Sequence, residues 1–140
     1  MPDESRDRVL AELNEIQTAA GQGVREDPTL ARARSLIAHS DNDVRWQALI
    51  AVAEWIRSSP DAVWEVVLEH GQSDDEDMRT GVATVLLEHL LEHHFETYFP
   101  QLRERIQAGA PLLADTLGRC WPFGDAATHW DEVRRLLGQA

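Results

Sequence analysis

Lysine is absent from this chain: all 13 basic residues among its 140 are arginine. A guanidinium is planar and forks onto a carboxylate, so basic side chains here are suited to bidentate pairing with the abundant acids. There is one cysteine, Cys120. An intramolecular disulfide is therefore excluded, and a reducing compartment is expected. No run approaches the eighteen or so apolar residues of a membrane span. The stretch Met1-Pro2-Asp3-Glu4-Ser5-Arg6-Asp7 is charged with no apolar segment behind it, so no secretory leader is expected. Together these features predict a cytoplasmic protein. Alternating Val/Ile/Thr runs flanked by Asn-Gly or Asp-Gly are missing, which argues against strands. A Gly-rich phosphate loop is missing too, and no serine sits on a turn like a nucleophile elbow.

What is present is acid. With 25 Asp and Glu the formal charge is −12. The acids are spread through both halves, so there is no detached acidic tail. A folded body with this field repels phosphates and attracts basic surfaces. Nucleic acid and membranes are therefore not expected as partners.

Helical patterns fill the spaces between prolines and glycines. A first helix is expected over about 4–20, with Val9, Leu10, Leu13 and Ile16 as its apolar stripe and Gly21 as its stop. Asp27-Pro28 opens a second, ending near His39. A third starts at Ser40-Asp41-Asn42-Asp43 and runs to about Arg57; a fourth runs from Ser59-Pro60-Asp61 to Gly71. Ser73-Asp74-Asp75-Glu76 has the form of a capping box and opens a fifth, to about His93. A sixth spans about 95–108 with a bend expected at Pro100. A seventh runs from Pro111 to before Pro122. The last covers about 126–137, capped by Asp125, stopped by Gly138 and burying Trp130, Val133, Leu136 and Leu137.

An internal repeat appears when the chain is slid by 34 residues. Asp43-Val44-Arg45 falls on Asp77-Met78-Arg79, Ala48 on Val82, Val52 on Leu86, Glu54 on Glu88 and Ile56 on Leu90. Leu30, Trp64 and Tyr98 fall on one another in the preceding helices. The third copy has Pro111 and Leu113 in place of the Asp-x-Arg signature, as a terminal copy of a solenoid would. Asp43-Val44-Arg45-Trp46-Gln47-Ala48 and Asp77-Met78-Arg79-Thr80-Gly81-Val82 resemble the opening of the second helix in HEAT repeats. The resemblance covers about 27–120. It implies an all-α, right-handed α-solenoid of about three hairpins (27–58, 59–93 and 94–121) in one domain over 1–140. Capping helices at 4–20 and 125–138 would close it. It also implies ladder roles between repeats for Asp43, Arg45, Asp77 and Arg79. The second helix supports this physically. From Val44 to Ile56 only Arg45, Gln47 and Glu54 are polar, and a helix that apolar must be covered on most sides.

His89-Leu90-Leu91-Glu92-His93 matches the His-x-x-Glu-His form of inverted zinc proteases, with both histidines one turn apart. The downstream glutamate motif that supplies the third ligand in that family is not seen. His93 and His94 also sit at a helix C-terminus, where imidazolium is favoured, so the segment reads as a solvated helix end. No metal, cofactor or catalytic residue is assigned. Asp74, Asp75 and Glu76, followed by Asp77, form the densest acid cluster, beyond what capping needs. Glu88 and Glu92, one turn apart, would extend that acidic face. Trp55, Trp64 and Trp130 read as core. Trp46, beside Arg45, is the tryptophan expected to be partly exposed and available as a contact. Trp121-Pro122-Phe123-Gly124 reads as a segment that seals the end of the core, with an exposed docking patch as the alternative. Cys120 reads as a buried small apolar residue.

These features predict a non-catalytic module whose acidic surface binds a basic protein, through Trp46, Asp74, Asp75, Glu76, Glu88 and Glu92. Small acidic immunity proteins that neutralise toxins are similar in size, charge and fold type. The alternatives are a self-associating scaffold or adaptor and a metal-dependent hydrolase using His89, Glu92 and His93. A HEAT-like family that removes alkylated bases from DNA needs a basic concave face, the opposite of this charge balance. The expected state is a monomer or weak homo-oligomer.

Overall fold

The computed structural model describes residues 5–21 and 29–138, with side chains from residue 29 and before residue 19. Every regular element among them is helical, with no strand. None of these helices is long and apolar enough to cross a membrane. The chain divides into two compact units, Met1–Ser59 and Pro60–Ala140.

The first unit contains α1 (Arg6–Gly21), α2 (Thr29–Leu36) and α3 (Asn42–Ala53). The α1 stripe buries Val9, Leu13 and Ile16, and Leu10 is half-buried. Against it α3 brings Val44, Ala48, Leu49, Ala51 and Val52, nearly all of them sealed from solvent. Asp41 caps α3 by accepting a hydrogen bond from Val44 N at 3.1 Å. The cap expected at Asp27 lies outside the described residues. After Ala53 the chain tightens into successive i to i+3 turns through Ile56. Arg32 grips Glu12 with two bonds, 2.7 and 3.1 Å long, and holds that carboxyl below its ordinary range.

The second unit contains α4 (Pro60–His70), α5 (Glu76–Gly81), a π-helical segment (Val82–Leu87), α6 (Glu88–Gln107), α7 (Pro111–Gly118), α8 (Gly124–Thr128) and α9 (Trp130–Leu136). Trp64 and Tyr98 meet with ring centroids 5.4 Å apart, and the buried Tyr98 hydroxyl donates to Asp61. Thr116, fully buried, donates to the Gly71 carbonyl at 2.5 Å. Phe95 stacks on Phe99 at 4.6 Å and on His129 at 5.1 Å.

Several local expectations change. No break is seen at Pro100, which lies inside α6; the interruption is at His94 (φ −138°, ψ 37°), at the boundary expected between the fifth helix, ending near His93, and the sixth, starting near Phe95. The cap of α5 is Asp75, which accepts from Asp77 N and Met78 N; Ser73 Oγ instead accepts from Asp75 N. The expected last helix is two short ones, broken at His129 (φ −113°, ψ 17°). Asp125 does not cap it, since Gly124 (φ +51°) starts α8 and no side chain caps that end. Of the four residues expected to be buried there, Val133 is, and Trp130, Leu136 and Leu137 are half-exposed.

The repeat register also changes. At an offset of 34, Ala48 and Leu49 match the buried Val82 and Ala83. Continued further, that offset sets buried Trp55 against half-exposed His89, and exposed Arg57 against buried Leu91. An offset of 35 restores agreement: Ala51, Val52, Trp55 and Ile56 match Leu86, Leu87, Leu90 and Leu91, all buried. The π-helical segment lies where the offset changes. Its i to i+5 hydrogen bonding takes up one extra residue per turn. Glu88 therefore corresponds to the half-buried Ala53, not to the exposed Glu54.

Candidate functional site

The first turns of α6 follow the π-helical segment and meet the α7–α8 connection. Glu88 points inward there and is 6% exposed. Its Oε1 accepts a hydrogen bond from Trp121 N at 3.0 Å. Its Oε2 lies 3.6 Å from His89 Nε2, beyond hydrogen-bonding distance. Burial pushes the Glu88 carboxyl above its ordinary range, although the Trp121 amide partly counteracts this. Glu92 sits one turn on. Its Oε1 is 2.9 Å from His89 Nδ1 and 3.6 Å from His93 Nε2. The His89 ring stacks on Phe123, with centroids 5.9 Å apart and planes 13° from parallel.

The connection itself is held tightly at both ends and open in the middle. Cys120 is buried, its thiol 3.5 Å from the Ala83 carbonyl oxygen, and burial pushes its pKa up. Gly124 approaches the α6 backbone so closely that a Cβ there would lie 2.8 Å from the Glu92 carbonyl oxygen. Between these anchors Trp121 is 68% exposed and Phe123 42%. They are the exposed large hydrophobic residues among those described. Trp121-Pro122-Phe123-Gly124 therefore does not seal the end of the core as its sequence suggests; its rings face solvent. An aromatic pair beside two carboxylates can stack on a cation and neutralise it.

The other residues singled out in the sequence do not gather here. Trp46 is half-exposed on α3 in the first unit. Asp74, Asp75, Glu76 and Asp77 are exposed at the start of α5. Asp75 serves as the cap, and Glu76 accepts from Arg119 at 3.1 Å. Asp74 makes no contact of this kind. Glu88, expected on the acidic face, is inside; Glu92 remains half-exposed.

Asp43 pairs with Arg6 (2.5 Å), and Arg45 donates to Asn42 Oδ1 (3.0 Å). Arg79 donates to the Ser73 carbonyl at 2.8 Å and to Asp115 Oδ2 at 2.9 Å. Asp115 Oδ2 also accepts from Arg119 at 2.8 Å. The two guanidinium groups hold the Asp115 carboxyl below its ordinary range. Asp115 lies outside the Asp-x-Arg signature, and its readable trace is the spacing Asp115-x-x-x-Arg119 on one helix.

Among the described residues, no three His, Cys, Asp or Glu side chains are placed together to hold a metal ion. At His89-x-x-Glu92-His93 the Glu92 carboxylate itself lies against both rings. A separate depression of about 290 Å³ is lined by Arg103, Gln107, Glu132, Arg135 and Leu136, charges of both signs. No protein-family model matches the chain, and no curated protein or solved structure does either.

Proposed function

We propose that this chain is a non-catalytic protein-binding module that engages a basic protein, and that its contact centres on Trp121 and Phe123. The observation that carries this reading is the exposure of those two rings beside Glu92 and Glu88. Tryptophan is enriched where interfaces concentrate their binding energy. A formal charge of −12 would speed encounter with a basic surface. Exposed acids away from the patch, Asp74 among them, contribute to that long-range field. Neutralising a toxin, as an immunity-type protein does, is one form such binding takes. The helical hairpins are of the HEAT-like kind in this reading, Asp43, Arg45, Asp77 and Arg79 belong to their ladders, and the compartment is the cytoplasm.

A self-associating scaffold is the second reading, since exposed aromatic patches also join like chains. Two copies each carrying −12 repel one another, which favours the basic partner. The test is affinity capture from cell extract at low and high salt. A basic protein should be retained, released as salt rises, and lost with Trp121→Ala. Retention that ignores salt, or that survives Trp121→Ala, overturns the reading. Light scattering showing a stable dimer of the isolated chain supports the scaffold instead.

A further inference from the structure

We infer that Glu88 and Trp121 together form a receptor for a single guanidinium group, an arginine side chain presented by the partner. This rests on the reading of the chain as a binder of basic protein and names the group it grips.

Glu88 is a carboxylate buried to more than nine-tenths, yet no arginine pairs with it. A buried charge is costly unless it is paired and its hydrogen bonds are made. Here one oxygen is satisfied by the Trp121 amide and the other, Oε2, receives no hydrogen bond. No side-chain oxygen or nitrogen sealed from solvent lacks a partner among the described residues. Oε2, which has only His89 Nε2 nearby at 3.6 Å and no hydrogen bond, therefore keeps contact with solvent. Elsewhere the chain treats its acids differently: Glu12 and Asp115 are both gripped by arginine. The hydrogen bond from Trp121 N to Glu88 also joins the carboxylate to the exposed aromatic segment. It holds the backbone of the residue that carries the exposed indole against the carboxylate.

Arginine suits this arrangement better than lysine. Its plane can lie on an indole face while its edge donates to a carboxylate oxygen. Glu92, next to His89, adds a second negative charge on the same helix. Phe123 has one face against His89, the residue next to Glu88.

The probe is N-acetyl-arginine amide titrated into the full chain, followed by NMR at the Trp121 indole N–H, with the lysine and citrulline analogues in parallel. The arginine compound should shift that signal saturably, with a dissociation constant on the order of millimolar. The citrulline analogue, neutral but of the same shape, should give no saturable shift. Lysine should bind more weakly than arginine. Glu88→Gln keeps an acceptor for the Trp121 amide and removes the charge, so binding should weaken roughly tenfold with the fold intact. Equal response to citrulline, unchanged affinity in Glu88→Gln, or no saturation overturns the inference. The two proposals fail separately. A captured basic partner held equally well by Glu88→Gln sinks the receptor alone. Saturable arginine binding with no basic partner captured sinks the wider reading alone.

Discussion

Asp115→Asn should destabilise the protein by about 1–2 kcal/mol at neutral pH. Asp115 Oδ2 receives hydrogen bonds from both Arg79 and Arg119, at 2.9 and 2.8 Å. Bonds to charged groups contribute about 1.5–3 kcal/mol each when well shielded. The Asp115 side chain is 40% exposed, so solvent screening reduces that figure. The Arg79 side chain is only 11% exposed. After the substitution it keeps the Ser73 carbonyl and a weaker amide oxygen, but loses its counter-charge. Urea unfolding of the two proteins at pH 7 measures the difference. The sign with pH follows from the depressed carboxyl. Asp115 titrates below its ordinary 3.8 in the folded state, so its contribution is present above that value and is lost as pH falls through the folded pKa. The gap between wild type and variant should therefore narrow in strong acid. A loss under about 0.3 kcal/mol at pH 7, or a gap that does not change with pH, refutes the pairing argument. A double-mutant cycle with Arg79→Gln should show coupling between the two sites.

Tyr98→Phe removes the hydroxyl that donates to Asp61 and should cost about 1 kcal/mol in the same unfolding assay. Gly124→Ala sets a Cβ on a backbone at φ +51°, 2.8 Å from the Glu92 carbonyl, and should cost roughly 2–3 kcal/mol. A melting temperature equal to wild type would show that the connection relaxes freely. Glu88→Gln should raise stability at neutral pH. The raised carboxyl pKa means that stability declines as pH climbs through the folded value and stays level above it, so the gain should fade in acid. Cys120, buried and with its thiol pKa raised, should react with a disulfide reagent only as fast as the protein opens, and fully in denaturant.

The helices were legible because their ends carry chemistry that works locally: Asp41 before α3, Pro60 and Pro111 opening their helices, Gly138 (φ +73°) after α9. The core stripe followed from spacing, and Leu30, Trp64 and Tyr98 are all buried as one repeated position. Three features escaped. The break at His129 has no proline or glycine to mark it; stacking of its ring on Phe95 is a tertiary contact. The exposure of Trp121 goes with a connection anchored by the close approach of Gly124 to α6, a tertiary contact that no local pattern records. Glu88 read as surface because an α-helical count from Asp77 carries it outward. The extra residue in the π-helical turn rotates it inward.

That turn has a meaning for the ancestry of the chain. Each residue advances an α-helix by roughly 100°. One residue inserted into a packed helix would normally swing everything after it out of register. A π turn absorbs the insertion, so Glu88 and the leucines beyond it keep the places of their counterparts in the first copy. If the two hairpins descend from one duplicated unit, a single inserted codon within Val82–Leu87 accounts for the change of offset, and the glutamate at the position that Ala53 holds in the first copy is a separate substitution. Deleting Val85 is the reverse step: it would return a plain helix and bring the two copies back to a common length.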